Sequence, residues 1–235
     1  TLFPYTTLFR SHDLQEPLRK VQQFGDLLLN QYGTELKEGI TYLERMQNAA
    51  HRMSSLIRDL LSYSRISTQR GTTQLVSLST IVEAVVQNLE LRIQETAAII
   101  QVGDLPQVAG DASQLEQLFQ NLVSNALKFH RPGIAPQIQI VSSQVMVSDL
   151  PTAFKPHRLT NGYYRIDIVD NGIGFEEKYL DRIFMVFQRL HGRSEYAGTG
   201  IGLAICEKVV LNHGGWINAQ SIPGQGATFS VYLPL

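Results

Sequence analysis

Asp170-Asn171-Gly172-Ile173-Gly174-Phe175 follows directly on the alternating run Tyr163-Tyr164-Arg165-Ile166-Asp167-Ile168-Val169. A strand that ends in an acid and then two closely spaced glycines lets backbone approach a ligand. By itself such a stretch is only a turn. Downstream, Gly198-Thr199-Gly200-Ile201-Gly202-Leu203 opens a helix reading Leu203-Ala204-Ile205-Cys206-Glu207-Lys208-Val209-Val210. Glycines there leave backbone N–H groups free, with the positive end of the helix dipole behind them, an arrangement suited to an anion. One cluster has a carboxylate for a base and the other has amides for phosphates. Together they imply a nucleotide.

Around these clusters, strands and helices interleave. Upstream, Asp111 or Ser113 caps a helix through Leu115, Leu118, Phe119, Leu122, Val123, Ala126 and Leu127. Residues 74–78 and 99–102 read as short strands, with a helix over 79–94 between them capped by Ser79 or Thr80. Residues 137–147 and 162–170 read as strands joined by a long Pro-containing loop, 148–161, and residues 176–187 and 201–213 read as helices. Residues 216–221 and 226–233 close the chain as a hairpin around Pro223-Gly224-Gln225. The pattern describes an α/β sandwich, with helices on one face of a mixed sheet.

Nearer the start, Leu14, Leu18, Val21, Phe24 and Leu28 recur at spacings of three or four. Ile40, Leu43, Met46, Ala50, Met53, Ile57, Leu60 and Leu61 do the same after a break at residues 31–34. This is an amphipathic helical hairpin, and two helices bury too little alone, so a homodimeric four-helix bundle is expected. A polar linker over 67–74 separates the two parts, giving an α+β chain with a hairpin over 12–70 and an α/β domain over 71–235. Thr1-Leu2-Phe3-Pro4-Tyr5-Thr6-Thr7-Leu8-Phe9-Arg10-Ser11 fits neither a signal peptide nor a helix start. It back-translates to a sequencing-library adapter, so it is expected to be translated adapter, with native sequence from about His12.

The totals are those of a globular protein with a real core. The chain has 235 residues, 43% hydrophobic and 17% charged. A net charge of −1 gives no bulk electrostatic reason for a nucleic-acid or anionic-membrane partner. The single cysteine, Cys206, excludes a disulfide framework within the chain, and its apolar helix marks it as a core thiol. No apolar run is long enough to cross a bilayer, so no membrane contact is expected of this segment.

Five motifs in one order resemble the catalytic core of the sensor histidine kinases. Ser11-His12-Asp13-Leu14-Gln15-Glu16-Pro17-Leu18 resembles the phospho-acceptor box, and Asn121-Leu122-Val123-Ser124-Asn125-Ala126-Leu127-Lys128-Phe129 the N box. The stretches at 170–175 and 198–203 resemble the two glycine boxes, and Phe184-Met185-Val186-Phe187-Gln188-Arg189 the F box. The resemblance covers residues 12–235. It implies a dimerising phosphotransfer hairpin followed by an ATP-binding domain of the GHKL type. The implied activity is autophosphorylation from ATP with Mg²⁺, then transfer to an aspartate of a response-regulator receiver domain, in the cytoplasm.

What the resemblance implies for each residue follows from the chemistry. His12 is the nucleophile, because a neutral imidazole attacks a phosphoryl group directly, and Asp13 is the orienting base, with Glu16 as a secondary candidate. Asn121 and Asn125 share one helix face, Asn125 holding Mg²⁺ through its amide oxygen and Lys128 reaching a phosphate. Asp170 accepts from the adenine amino group and Thr228 supports the same edge. Gly172 and Gly174 turn the backbone beside the base. Gly198, Gly200 and Gly202 hinge a lid over residues 189–197, and with Thr199 among them they face the phosphates. Arg189, and with less reason Arg193, neutralise charge during transfer. Related ATPases have a glutamate at the place of Asn121 to activate water. The neutral amide here argues for a kinase. Members that dephosphorylate their partner have Thr, Asn or Gln four residues after the histidine. With Glu16 there, Glu16→Thr is expected to raise phosphate release from a cognate partner.

Overall fold

The computed structural model describes residues 4–68, 73–150, 154, 160–190, 196 and 198–235, with backbone alone for 4–14 and 67–68. The chain divides into two units, Thr1–Arg65 and Ile66–Leu235.

The first unit is a hairpin of α1 (Pro4–Tyr32) and α2 (Gly39–Thr68), the latter running past the unit boundary. Contrary to the sequence expectation, the helix begins as early as Pro4. Proline is tolerated in a first turn, where its missing N–H has no partner to lose. The turn between the helices is closed by the Gly33 N–H donating to Leu29 O at 3.0 Å, with Lys37 at a φ of 43°. Leu43 and Ala50 are buried inside the hairpin. Gln47 is buried too, donating from Nε2 to Asp26 Oδ1 at 2.6 Å. A Cβ on Gly25 would lie 2.8 Å from Gln47 Cγ, so a side chain there would have to displace Gln47 from Asp26. Val21, Phe24, Leu28, Met46, Met53 and Leu60 stay exposed on the hairpin.

The second unit runs β1 (Gln74–Ser77), α3 (Leu78–Asn88), α4 (Glu90–Thr96), β2 (Ile99–Val102), β3 (Gln107–Gly110), α5 (Ala112–Lys128), β4 (Gln137–Met146), β5 (Gly162–Asp170), α6 (Leu180–Ile183), α7 (Gly202–Asn212), β6 (Trp216–Ile222) and β7 (Gly226–Pro234). One sheet has the order β2-β4-β5-β7-β6, with β2 parallel to β4 and every other pair antiparallel. The other pairs β1 with β3. Ile138, Ile140, Ile166, Ile168, Phe229, Val231, Ile217 and Ala219 lie buried along one face of the large sheet. They meet the buried stripes of α5 and α7, which gives the expected sandwich.

Two expected elements differ. The helix over 79–94 is broken at Leu89 into α3 and α4, and Ser77 caps it by accepting from the Thr80 N–H at 3.4 Å. Ser79 instead donates to Leu105 O at 3.3 Å, so its hydroxyl is taken by the neighbouring loop. Over 176–187 only a 3₁₀ turn, Glu177–Tyr179, and the short α6 form. Beyond them the chain continues through i to i−3 bonds, Met185 N–H to Arg182 O and Gln188 N–H to Met185 O, and Phe187 turns out at a φ of 66°. β3 was not anticipated. Within the expected loop 148–161, Phe154 packs edge-on to Tyr163 and Trp216 at the end of the sheet.

Candidate active site

Helix α5 buries Leu115, Leu118, Phe119, Leu122, Val123, Ala126 and Leu127, which leaves Asn121, Asn125 and Lys128 along its uncovered edge. The start of α5 is fixed twice. Asp111 Oδ1 caps it by accepting from the Gln114 N–H at 3.0 Å, and the Asp111 N–H donates to His213 Nε2 at 3.0 Å. His213 Nδ1 in turn donates to Val209 O at 2.7 Å, so one neutral imidazole ties the start of α5 to the end of α7.

At the other end of α7, its first residue, Gly202, faces α5. A Cβ there would lie 3.6 Å from Asn121 Oδ1. Asn121 Nδ2 is buried and has no hydrogen-bond partner among the described residues. Beside it is the Cys206 sulfur, a weak acceptor. Burial holds that thiol well above the ordinary thiol range. Cys206 is therefore an inert core group.

Lys128 gives the site its charge. Its Nζ lies 4.2 Å from the Phe129 ring centroid, and a Cβ on Gly198 would come within 2.8 Å of it. Gly198 itself has a φ of 150°, a backbone conformation that side-chain-bearing residues rarely adopt. Desolvation, then the nearby Arg189 and Arg92 guanidinium groups, lower the Lys128 ammonium from its ordinary value to about 8. An anion beside it would relieve that cost. Arg189 donates to the carbonyls of Gly198 and Tyr196, and the Tyr196 and Phe129 ring centroids are 5.1 Å apart. The arginine thus holds the approach to the second glycine box, where Thr199 Oγ1 accepts from the Ile201 N–H at 3.4 Å. Gly200 precedes α7 at a φ of 76°.

The first glycine box is wedged between two backbone segments. The Ile173 N–H donates to Phe129 O at 2.9 Å, and a Cβ on Gly172 would fall 2.4 Å from that same oxygen. Gly174, at a φ of 61°, lies against the Ile222 carbonyl. Asp170 Oδ1 accepts from the Gly172 N–H at 2.8 Å and the Ala227 N–H at 3.2 Å. Oδ2 has no partner among the described residues. Burial raises Asp170 above the usual carboxylate range, and the two N–H donors oppose that shift.

Thr228 is a correction. It pairs with Val169, one residue short of Asp170, so its side chain leaves the sheet on the opposite face. Ala227 faces Asp170 instead and offers its backbone N–H. On the Asp170 face, Ser221 donates to Gly226 O and accepts from the Phe175 N–H, each at 2.8 Å. The sequence reading missed Ser221, and it missed Arg131 and Asn171. Asn171 Oδ1 accepts from the Gln137 N–H at 2.9 Å while Nδ2 donates to Ala135 O at 3.2 Å, fastening the box to β4. No motif spacing announces these contacts.

Asn121, Asn125, Lys128, Gly198 and Gly202 therefore border one region, and Asp170, Gly172 and Gly174 border its neighbour across Phe129. His12 and Asp13 lie on α1, with side chains outside the described residues, and Arg193 is also outside them. Among the described residues, no group of three or more His, Cys, Asp or Glu could hold a metal by itself. A Mg²⁺ here would have to share phosphate oxygens with an amide oxygen, such as that of Asn125 on the edge of α5.

Residues 110–235 match the family described as histidine kinase-, DNA gyrase B- and HSP90-like ATPase, and residues 11–69 match the His Kinase A phospho-acceptor domain. The chain is 37% identical over 226 residues to the phytochrome-like protein Cph1 of Synechocystis sp., covering 96% of this chain and 28% of that protein. Cyanobacterial phytochrome A of Nostoc sp. is 39% identical over the same shares. The chain thus spans little more than a quarter of these relatives. A crystal structure of full-length ShkA in complex with AMPPNP shares the fold, with a TM-score of 0.69 at 24% identity over 98% of this chain and 46% of that one. With a phospho-acceptor hairpin and an ATPase-type domain each matched in sequence, the chain belongs to the histidine kinases.

Proposed function

We propose that this chain transfers the γ-phosphoryl group of ATP to an imidazole nitrogen of His12 and passes it to an aspartate of a response-regulator receiver domain. One observation carries the reading. Asn121 stands on the edge of α5 with its Oδ1 facing Gly202 at the start of α7, and the only acid on α5, Glu116, is occupied with Asn88 on the exposed side. An amide can hold phosphate oxygens and cannot deprotonate water, so the nucleotide waits for a better nucleophile. Mg²⁺ bound through Asn125 and the phosphates would neutralise charge on the departing group.

In the transfer, the bond from the γ-phosphorus to its bridging oxygen breaks, ADP leaves with that oxygen, and a nitrogen–phosphorus bond forms on His12. Asp13 holds the proton of the other ring nitrogen and so keeps the attacking nitrogen unprotonated. Lys128 and Arg189 offset the negative charge on the phosphates. Asp170 Oδ2 accepts from the exocyclic amine of adenine, which selects the base. The exposed apolar side chains of the hairpin pair with a second copy in a four-helix bundle. ATP and a receiver domain as partners both imply the cytoplasm.

The test is incorporation of label from γ-labelled ATP. The expected product is acid-labile and base-stable, and it disappears in His12→Ala. Acid-stable label, or label that survives His12→Ala, would overturn the assignment.

A further inference from the structure

Arg131 lies three residues beyond the end of α5, outside every motif. Its Nε donates to Asn171 O at 2.9 Å and its Nη1 donates to Gly224 O at 3.1 Å. Those two carbonyls belong to the two backbone segments that aim Asp170. Asn171 directly follows Asp170 and precedes Gly172, one of the two N–H donors to Oδ1. Gly224 lies in the turn between β6 and β7, three residues before Ala227, the other donor. The Gly224 N–H also donates to Ile173 O at 2.7 Å, closing the loop of contacts. A planar guanidinium with two fixed donors spans such a pair as no other side chain does.

We propose that Arg131 is a positioning residue for base selection: it sets the angle of the free Asp170 oxygen by bridging the first glycine box to the β6–β7 turn. This rests on the nucleotide reading above and names how that site chooses adenine. The carboxylate has one oxygen fixed by two amides, so small shifts of either segment rotate the other oxygen. A guanine presents a carbonyl where adenine presents an amine, and it faces a carboxylate oxygen as an unpaired acceptor. Loss of the bridge therefore weakens adenine binding and leaves guanine binding, already poor, almost unchanged. Arg131 touches neither base nor phosphate in this role.

The test measures dissociation constants of the 235-residue chain, with Mg²⁺, for ATP, GTP and tripolyphosphate, in the unsubstituted protein, Arg131→Ala and Arg131→Lys. Arg131→Ala should raise the ATP constant about tenfold and compress the ATP-to-GTP preference by a similar factor. Tripolyphosphate, which has no base, should bind as before. Arg131→Lys, able to make one of the two bonds, should recover part of the preference. Equal weakening of all three ligands, or an unchanged ATP-to-GTP ratio, overturns the proposal, the first outcome assigning Arg131 to general stability. If the unsubstituted chain binds tripolyphosphate but shows no preference for ATP, the adenine reading of Asp170 falls first. If it binds none of the three, the nucleotide site itself falls.

Discussion

The chemistry of the site turns on two side chains of α5. Under the proposed function, half-buried Asn121 stands where a carboxylate would make a base for water, and its neutrality should keep ATP intact. Asn121→Asp changes charge at nearly constant shape. Phosphate release from ATP should then rise about a hundredfold, the modest end of what a positioned base contributes, while label on His12 falls. Unchanged hydrolysis would show that Asn121 is not placed to activate water. Lys128 gives a pH dependence with a definite sign. Its ammonium is lowered to about 8 by burial and by Arg189 and Arg92. Below that value it is charged and attracts phosphates, and as pH rises through it the charge is lost from the free protein. Nucleotide binding should accordingly weaken above about pH 8, by up to tenfold per pH unit, because each bound nucleotide then takes up a proton. Lys128→Arg, which stays charged, should flatten the profile. A titration with the same slope in both proteins would remove Lys128 from phosphate binding.

At the level of elements, the hairpin is held by a small packing device. Gly25 in the middle of α1 costs about 1 kcal/mol of helix propensity relative to alanine. The structure gives its reason in the Gln47 side chain, which crosses Gly25 to reach Asp26. Gly25→Ala should therefore destabilise the hairpin by about 1 kcal/mol net, since displacing Gln47 breaks a bond to a carboxylate worth about 1.5–3 kcal/mol. Gly25→Ala with Gln47→Ala should be no less stable than Gly25→Ala alone, because the bond to Asp26 is already broken in the single variant. Urea melts of the two variants decide it, and a single variant more stable than the parent would refute the packing argument. The same comparison shows which elements a sequence reveals. α5, β5, α7 and the closing hairpin could be read from periodicity and caps, because Asp111, the Ile166–Ile168 alternation and the Pro223-Gly224 turn act locally. The segment after Glu176 could not, since its helical pattern yields to the turn at Phe187, against which Gly200 packs from far along the chain. Thr228 was misassigned for a register reason, as one residue moves a side chain to the other face. Arg131 and Ser221 were invisible because they bind backbone groups, which carry no residue-type signal.

For the whole molecule, the open question is what covers the hairpin. Met46, Met53 and Leu60 recur every seventh residue of α2, and Val21, Phe24 and Leu28 follow at spacings of three and four on α1. All six are exposed, Phe24 at 63%. Inside the hairpin, by contrast, the contacts are made by Gly25, Leu43, Gln47, Ala50 and the Gln22 amide, which reaches His51 at 3.1 Å and Ser54 at 3.3 Å. The interior of one hairpin is thus narrow and partly polar, while its apolar seam with a heptad repeat points outward. Seams of that period associate with other helices. A second copy supplies two more, and the interface needed for a lasting dimer, about 1,200–2,000 Å², is within reach of two antiparallel helices of some thirty residues each. Light scattering should therefore give twice the 26.3 kDa mass of the chain at micromolar concentration. Phe24→Lys with Met53→Lys places four charges in the seam of the dimer, and it should return the protein to a monomer that still binds ATP, since Asp170 and Lys128 lie in the other unit. A monomer before substitution, or a dimer that survives both lysines, would mean that these six side chains face something other than a second copy.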